Sequence, residues 1–245
     1  MGPPLLQAEG VTKRYGGLVA NDAVSMVLAA GEVRGLIGPN GAGKTTLVNM
    51  LTGIEMLDAG RIRLGGADLV GLRPDQIAAR GLVRTFQVAR VFANLSAEEN
   101  LLVPFLAAGA RGGVRAGRAR AAELLAIAGL QRLAEAPAGV LSGGQRMLLQ
   151  ACAGFMIPTV SLYVLDEPFA GINPVLKETL IGLIERENRG KDRAFLIVSH
   201  EMTIVRRLCA RVTVMIQGRV AAEGTLDEVA RRPEVVAAYL GGAAA

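Results

Sequence analysis

Val33-Arg34-Gly35-Leu36-Ile37-Gly38-Pro39-Asn40-Gly41-Ala42-Gly43-Lys44-Thr45-Thr46 decides the fold. An apolar run ends abruptly in glycine, and Gly38 to Thr46 follow the phosphate-loop pattern G-x-x-x-x-G-K-[ST] between a strand and a helix. The glycines let the backbone wrap a polyphosphate, so that consecutive N–H groups face its oxygens. A helix beginning near Gly43 adds the positive end of its dipole. In this arrangement Lys44 is expected to reach the β- and γ-phosphates and Thr45 to offer a hydroxyl to Mg²⁺. The basic residues are nearly all arginine, the lysines being Lys13, Lys44, Lys177 and Lys191, so a chance lysine in this frame is improbable. The expected ligand is a nucleoside triphosphate.

The 245 residues suit one large α/β unit or a core with an attached lobe. Half the chain is apolar and tryptophan is absent, so alanine, leucine and valine must fill the interior. The formal charge of +5 is spread out except for Arg111, Arg115, Arg118 and Arg120, read as a solvated loop or helix start, with contact to anionic lipid or nucleic acid as the sharper alternative. No basic motif is interleaved with aromatics, so a nucleic-acid partner is not expected. Cys152 and Cys209 lack metal-ligand or redox spacing and read as buried free thiols. Met1-Gly2-Pro3-Pro4-Leu5 lacks the features of an export leader. The uncharged stretch from Met147 to Leu165 is broken by Gln150, Gly154, Pro158, Thr159 and Ser161. It reads as a helix, a turn and a buried strand, not a membrane span.

Apolar strand candidates are Leu5–Val11, Ala23–Leu28, Val33–Ile37, Arg61–Leu64, Val83–Phe86, Leu162–Leu165, Phe195–Val198 and Val212–Ile216. The early ones are joined by turns, as in an antiparallel sheet; helical patterns separate the later ones, as in a parallel sheet. A short helix is expected within Asp68–Gly81, starting at Pro74. Ser96-Ala97-Glu98-Glu99 is a capping box, and the pattern stays helical from there to Phe155. Three segments follow: 1–88 with the phosphate loop and antiparallel strands, 89–155 helical, and 156–245 completing the core.

Other residues add chemistry. Val160 to Leu165 is an apolar strand ending in Asp166-Glu167-Pro168. Placed beside the phosphate-loop strand, Asp166 could hold Mg²⁺ through its waters and Glu167 could polarise an attacking water. Leu141-Ser142-Gly143-Gly144-Gln145 opens another helix, either as an ordinary N-cap or as a second phosphate-facing terminus. Gln87, after Phe86, could reach the metal or the water. His200 is the sole histidine; at the end of a parallel strand it would face the crevice. Tyr15 could stack on adenine or pack as a surface tyrosine.

These motifs, in this order along essentially the whole chain, resemble the ABC-type ATPase family. The resemblance implies a P-loop NTPase (RecA-like) α/β core with an N-terminal antiparallel β subdomain and an inserted α-helical subdomain. It implies ATP and Mg²⁺ as ligands, and ATP hydrolysis as the activity. Gly38, Pro39, Asn40, Gly41, Ala42, Gly43, Lys44, Thr45 and Thr46 look like Walker A, and Gln87 looks like the Q-loop. Ser142, Gly143, Gly144 and Gln145 look like the signature. Asp166 and Glu167 look like Walker B with its catalytic glutamate, His200 like the switch histidine, and Tyr15 like the adenine-stacking aromatic. Catalytic roles are thereby implied for Glu167, His200, Lys44 and Gln87, and metal contacts for Thr45, Gln87 and Asp166. The family also implies a dimer in which the signature of one subunit closes over the ATP of the other.

Finer resemblance points to the branched-chain amino acid importer ATPases, most closely the larger of that system's two ATPase chains. Its residues are Lys13 to Ala20, Gly81 to Gln87, Ala170 to Pro174 and Pro233 to Gly241. It implies a second ATPase subunit, in a homo- or heterodimer, two transmembrane permeases and a periplasmic or extracellular solute-binding protein. The chain is then expected at the cytoplasmic face of the inner membrane, peripheral, and soluble alone. The groove between the Gln87 segment and the helical lobe is the expected permease contact. Urea or amide uptake, lipopolysaccharide export and non-transport ABC work are the alternatives. Three departures stand out: Asn173 replaces the aspartate of many relatives, Ala151-Cys152-Ala153-Gly154 is unusually small and apolar, and Gly143 stands where close relatives often have an aromatic or other residue.

Overall fold

The structure is a computed structural model that describes residues 4–190 and 192–241. Met1-Gly2-Pro3, on which much of the leader reading rests, lie outside the described residues. Strands β1 (Pro4–Tyr15), β2 (Leu18–Ala29), β4 (Ala59–Leu64) and β5 (Ala67–Asp68) form an antiparallel sheet ordered β2-β1-β4-β5. The third strand, β3 (Val33–Ile37), leaves it for a second sheet with β6 (Leu82–Arg84), β7 (Leu162–Asp166), β8 (Ala194–Val198), β9 (Arg211–Ile216) and β10 (Arg219–Gly224). That sheet runs β10-β9-β3-β8-β7-β6, parallel except at β10.

Side-chain alternation divides the interior. On β7, Leu162 and Val164 face the antiparallel sheet, whereas Tyr163 and Leu165 face the helices; on β8, Leu196 and Ile197 divide likewise. A strand covered on both faces reads as a nearly continuous apolar run, as in β7 and β8; in β3 the run is broken by Arg34, buried but paired with Glu32 and Glu223. One expectation is corrected. The strand carrying Asp166 does not lie beside the phosphate-loop strand, because β8 pairs with both and separates them. A parallel neighbour requires a crossover, and order in sequence does not fix order in the sheet.

Between β6 and β7 the chain is helical: α3 (Ala97–Ala107), α4 (Gly113–Ile127) and α5 (Gly143–Phe155), after α1 (Lys44–Leu51) and α2 (Pro74–Ala79). The Ser96 capping box opens α3 as expected, with Glu99 N–H donating to Ser96 Oγ. Arg115, Arg118 and Arg120 lie in the first half of α4, Arg111 in the turn before it, and part of the cluster is paired. Arg118 faces Glu98, while Arg120 bridges Glu123 and Glu187. Glu187 lies on α6 (Pro174–Asn188), so these pairs tie the helical segment to the core.

The small residues of α5 have a packing cause. A Cβ on Gly154 would fall 2.2 Å from the Tyr163 ring, whose hydroxyl donates to Ala151 O at 3.0 Å. A bulky β7 residue at Tyr163 thus requires glycine on the helix above it. Both cysteines are buried, their thiols pushed up to about 12 by desolvation.

Candidate active site

The glycine-rich turn between β3 and α1 cannot accommodate side chains at its tightest points. A Cβ at Gly38 would stand 2.2 Å from Met215 O, and one at Gly43, where φ is 91°, would stand 2.5 Å from Ala20 O. Two segments outside the motif brace the loop. The Gly218 N–H donates to Ala42 O at 3.1 Å, and Asn21 Nδ2 reaches Gly43 O at 3.3 Å. Lys44 is held in the loop mouth, its ammonium donating to Gly38 O at 2.8 Å and Pro39 O at 3.0 Å. Burial lowers its pKa, and the nearby carboxylates of Glu167 and Asp166 oppose that shift.

A cleft of about 590 Å³ opens over the loop. Its walls bring together Tyr15, residues 40–46, Gln87, Asp166 and Glu167, all read from sequence, with Gln217 and Gly218 from the β9–β10 turn. Those two were missed because they belong to no motif. The signal that could have found them is an X-Gly pair between two short apolar runs, which marks a hairpin. Gln217 does adopt a positive φ of 48°, as such a turn requires.

The end of β7 is heavily constrained. Asp166 N–H donates to Thr85 Oγ1 at 3.1 Å, and one carboxylate oxygen of Asp166 takes Arg84 Nη2 at 2.8 Å. Burial raises the Asp166 pKa, with Arg84 and Lys44 pulling it back. The Arg84 ion pair was not legible in the sequence. Glu167 follows with φ of 48°, a left-handed conformation that costs about 1 kcal/mol for a side-chain-bearing residue. Its N–H is anchored on Val198 O at 2.9 Å, beyond which the chain turns to His200. There Glu167 Oε2 and His200 Nδ1 meet at 2.9 Å. Glu167 is largely enclosed at 16% side-chain exposure, whereas His200 is 70% exposed and reaches the cleft only through the glutamate.

Gln87 lies just past β6, which ends at Arg84 and not at Phe86 as expected. Thr45, Gln87 and Asp166 present hard oxygen donors on one cleft, the chemistry Mg²⁺ takes when phosphates complete its shell. Among the described residues no cluster of three His, Cys, Asp or Glu side chains stands ready for a metal on its own.

Ser142, Gly143, Gly144 and Gln145 are not brought to this cleft. Ser142 caps α5 by accepting Gln145 N–H at 3.3 Å, while Gln145 Oε1 accepts Ser142 N–H at 2.8 Å. The two glycines differ: a Cβ on Gly144 would collide with Leu176, but one on Gly143 meets open space. The capped terminus is exposed.

No helix among the described residues is long and apolar enough to cross a membrane. The ABC transporter family matches residues 21–170, and the branched-chain amino acid ATP-binding cassette transporter family matches 219–245. The chain is 37% identical to the high-affinity branched-chain amino acid transport ATP-binding protein BraF of Pseudomonas aeruginosa, over 98% of this chain and 99% of that relative. It is 38% identical to the corresponding LivG of Escherichia coli K12, with the same coverage. Among solved structures, the ADP conformation of the ATP-binding cassette MJ1267 has a TM-score of 0.84 at 31% identity, over 98% of this chain and 99% of that one. A nucleotide-free cassette from an ABC transporter has a TM-score of 0.85 at 30% identity, over 97% and 99%.

Proposed function

The chain belongs to the ABC transporter family of ATPases, and from that premise we propose that it powers an importer of branched-chain amino acids or a related small solute. The observation that carries this reading is the match of residues 219–245 to the branched-chain family, beyond the shared ATPase core. The relatives' names give the solute, and near full-length coverage on both sides supports the transfer.

In this reading ATP occupies the cleft, with its phosphates in the loop of Gly38 to Thr46 and its adenine against Tyr15. Lys44 contacts the terminal phosphates, exchanging its loop carbonyls for phosphate oxygens. Mg²⁺, held through Thr45, Gln87 and Asp166, would supply charge neutralisation for the phosphates. Glu167 accepts the proton of the attacking water and His200 holds that carboxylate in place. Residues 1–88, 89–155 and 156–245 then serve as nucleotide half, helical subdomain and second half of the core.

The site is completed by a second ATPase subunit. The exposed N-terminus at Ser142 to Gln145 supplies donors to the γ-phosphate of the partner's ATP, which explains why it stands away from this chain's own cleft. One of two permeases docks in an apolar groove of this chain of about 320 Å³ lined by Ile54, Phe86, Pro104 and Ile157, the other on the second ATPase subunit, and a solute-binding protein acts through them. The chain sits on the cytoplasmic side of those permeases.

The test is ATP turnover by the chain reconstituted with its permeases. Loaded binding protein should raise the rate well above the basal level. Equal rates with and without it would refute coupling to solute import.

A further inference from the structure

Arg84 stands between two cavities. It lines the apolar groove with Phe86, and it bonds Asp166 on the wall of the nucleotide cleft. Its side chain is 8% exposed and that of Asp166 is 7%, so the pair is out of water. Each nitrogen of the guanidinium has a partner: Nη2 donates to Asp166 Oδ2 at 2.8 Å, Nη1 to Asn49 Oδ1 at 2.7 Å and Nε to Thr85 O at 3.2 Å. The flat ion also lies 4.9 Å from the Phe86 ring centre, while Arg90 approaches that ring at 4.2 Å.

These contacts have consequences for Asp166. The guanidinium is itself held by Asn49 Oδ1 and Thr85 O, so the one nitrogen it gives to Asp166 anchors Oδ2 at a fixed place. Among the described residues Oδ1 takes no hydrogen bond, leaving it as the oxygen available to the waters of a cation. Asn49 lies on α1, the helix that follows the phosphate loop, so the same guanidinium bridges that helix and the end of β7. Two effects compete. The positive charge of Arg84 opposes a cation nearby, whereas its fork pre-orients the ligand. Partners behind a metal ligand usually act by orientation, and their loss weakens metal affinity by about 10- to 100-fold.

We propose that Arg84 is a positioning residue for Mg²⁺-nucleotide: through Asn49 and Thr85 it holds Asp166 in the geometry that receives the metal, and it joins that geometry to the Phe86 wall of the groove. The proposal rests on the reading of the cleft as a Mg²⁺-nucleotide site.

The experiment measures equilibrium binding of a fluorescent ADP to the full chain, with and without Mg²⁺, so that no turnover enters. The quantity read is the gain in affinity conferred by Mg²⁺. Arg84→Lys keeps the charge but replaces the fork by one ammonium, and Asn49→Ala removes a tether that touches neither Asp166 nor nucleotide. Thermal unfolding confirms that each is folded. Both should lose most of the Mg²⁺ gain, about tenfold for Arg84→Lys, while affinity for metal-free ADP stays at the wild-type value. A full Mg²⁺ gain in both variants, or a larger one, overturns the proposal and leaves the metal site standing. A wild-type chain that binds ADP with no gain from Mg²⁺ overturns both.

Discussion

Glu167 Oε2 lies 2.9 Å from His200 Nδ1, joining the carboxyl ends of two adjacent parallel strands. The glutamate is largely enclosed and conformationally strained; the histidine is exposed. A strained carboxylate held by one partner is poised to act on a water, and the partner's role is to aim it.

Glu167→Gln should therefore keep nucleotide affinity and lower turnover by about a hundredfold or more. His200→Ala should lower kcat with KM for ATP little changed, since what it removes is the alignment of Glu167. Steady-state kinetics with parallel binding measurements check both. Undiminished turnover in Glu167→Gln would remove it as the base.

The Gly154–Tyr163 contact gives a stability prediction. Gly154→Ala should destabilise by about 1–3 kcal/mol, because the ring 2.2 Å away cannot yield within a packed core. Tyr163→Leu alone opens a void and should cost about 2–4 kcal/mol. Combined, the two should cost less than their sum, since each relieves the defect made by the other. Denaturant unfolding of the four proteins measures that coupling.

Cys152 and Cys209 should be inert in the native chain. With both thiols pushed up to about 12 by burial, the thiolate fraction near pH 8 is roughly one part in ten thousand. Labelling by a thiol reagent should follow the opening of the structure and become rapid in denaturant. Fast native labelling of either would contradict the packing around α5 or α7 (Met202–Leu208).

Much of this site was legible because its chemistry is local in sequence. The phosphate loop, the capping box at Ser96, the N-cap at Ser142 and the acid pair ending β7 each declare themselves within a few residues. Other features depend on pairing across the chain. Strand β10 is short, alanine-rich and half-exposed, so it lacks both alternation and a continuous apolar run. Its hairpin delivers Gln217 and Gly218 to the cleft, which no local pattern states. Arg84 and Asp166 are 82 residues apart, and their ion pair exists only because β6 and β7 are neighbours in register. The place of β8 between β3 and β7 was hidden for the same reason.

The central claim is that ATP is closed between two ATPase subunits, with Ser142 reaching across to the partner's phosphates. Ser142→Asp tests it most directly. Aspartate caps a helix as well as serine does, so α5 should be preserved. It places a negative charge where a γ-phosphate must approach. The measurement is ATP turnover in the assembly that carries wild-type activity, alone or with the second subunit, beside nucleotide binding to the single chain. The account predicts unchanged melting and single-chain binding with turnover reduced at least tenfold, that is, by at least about 1.4 kcal/mol. Full turnover by Ser142→Asp would contradict it.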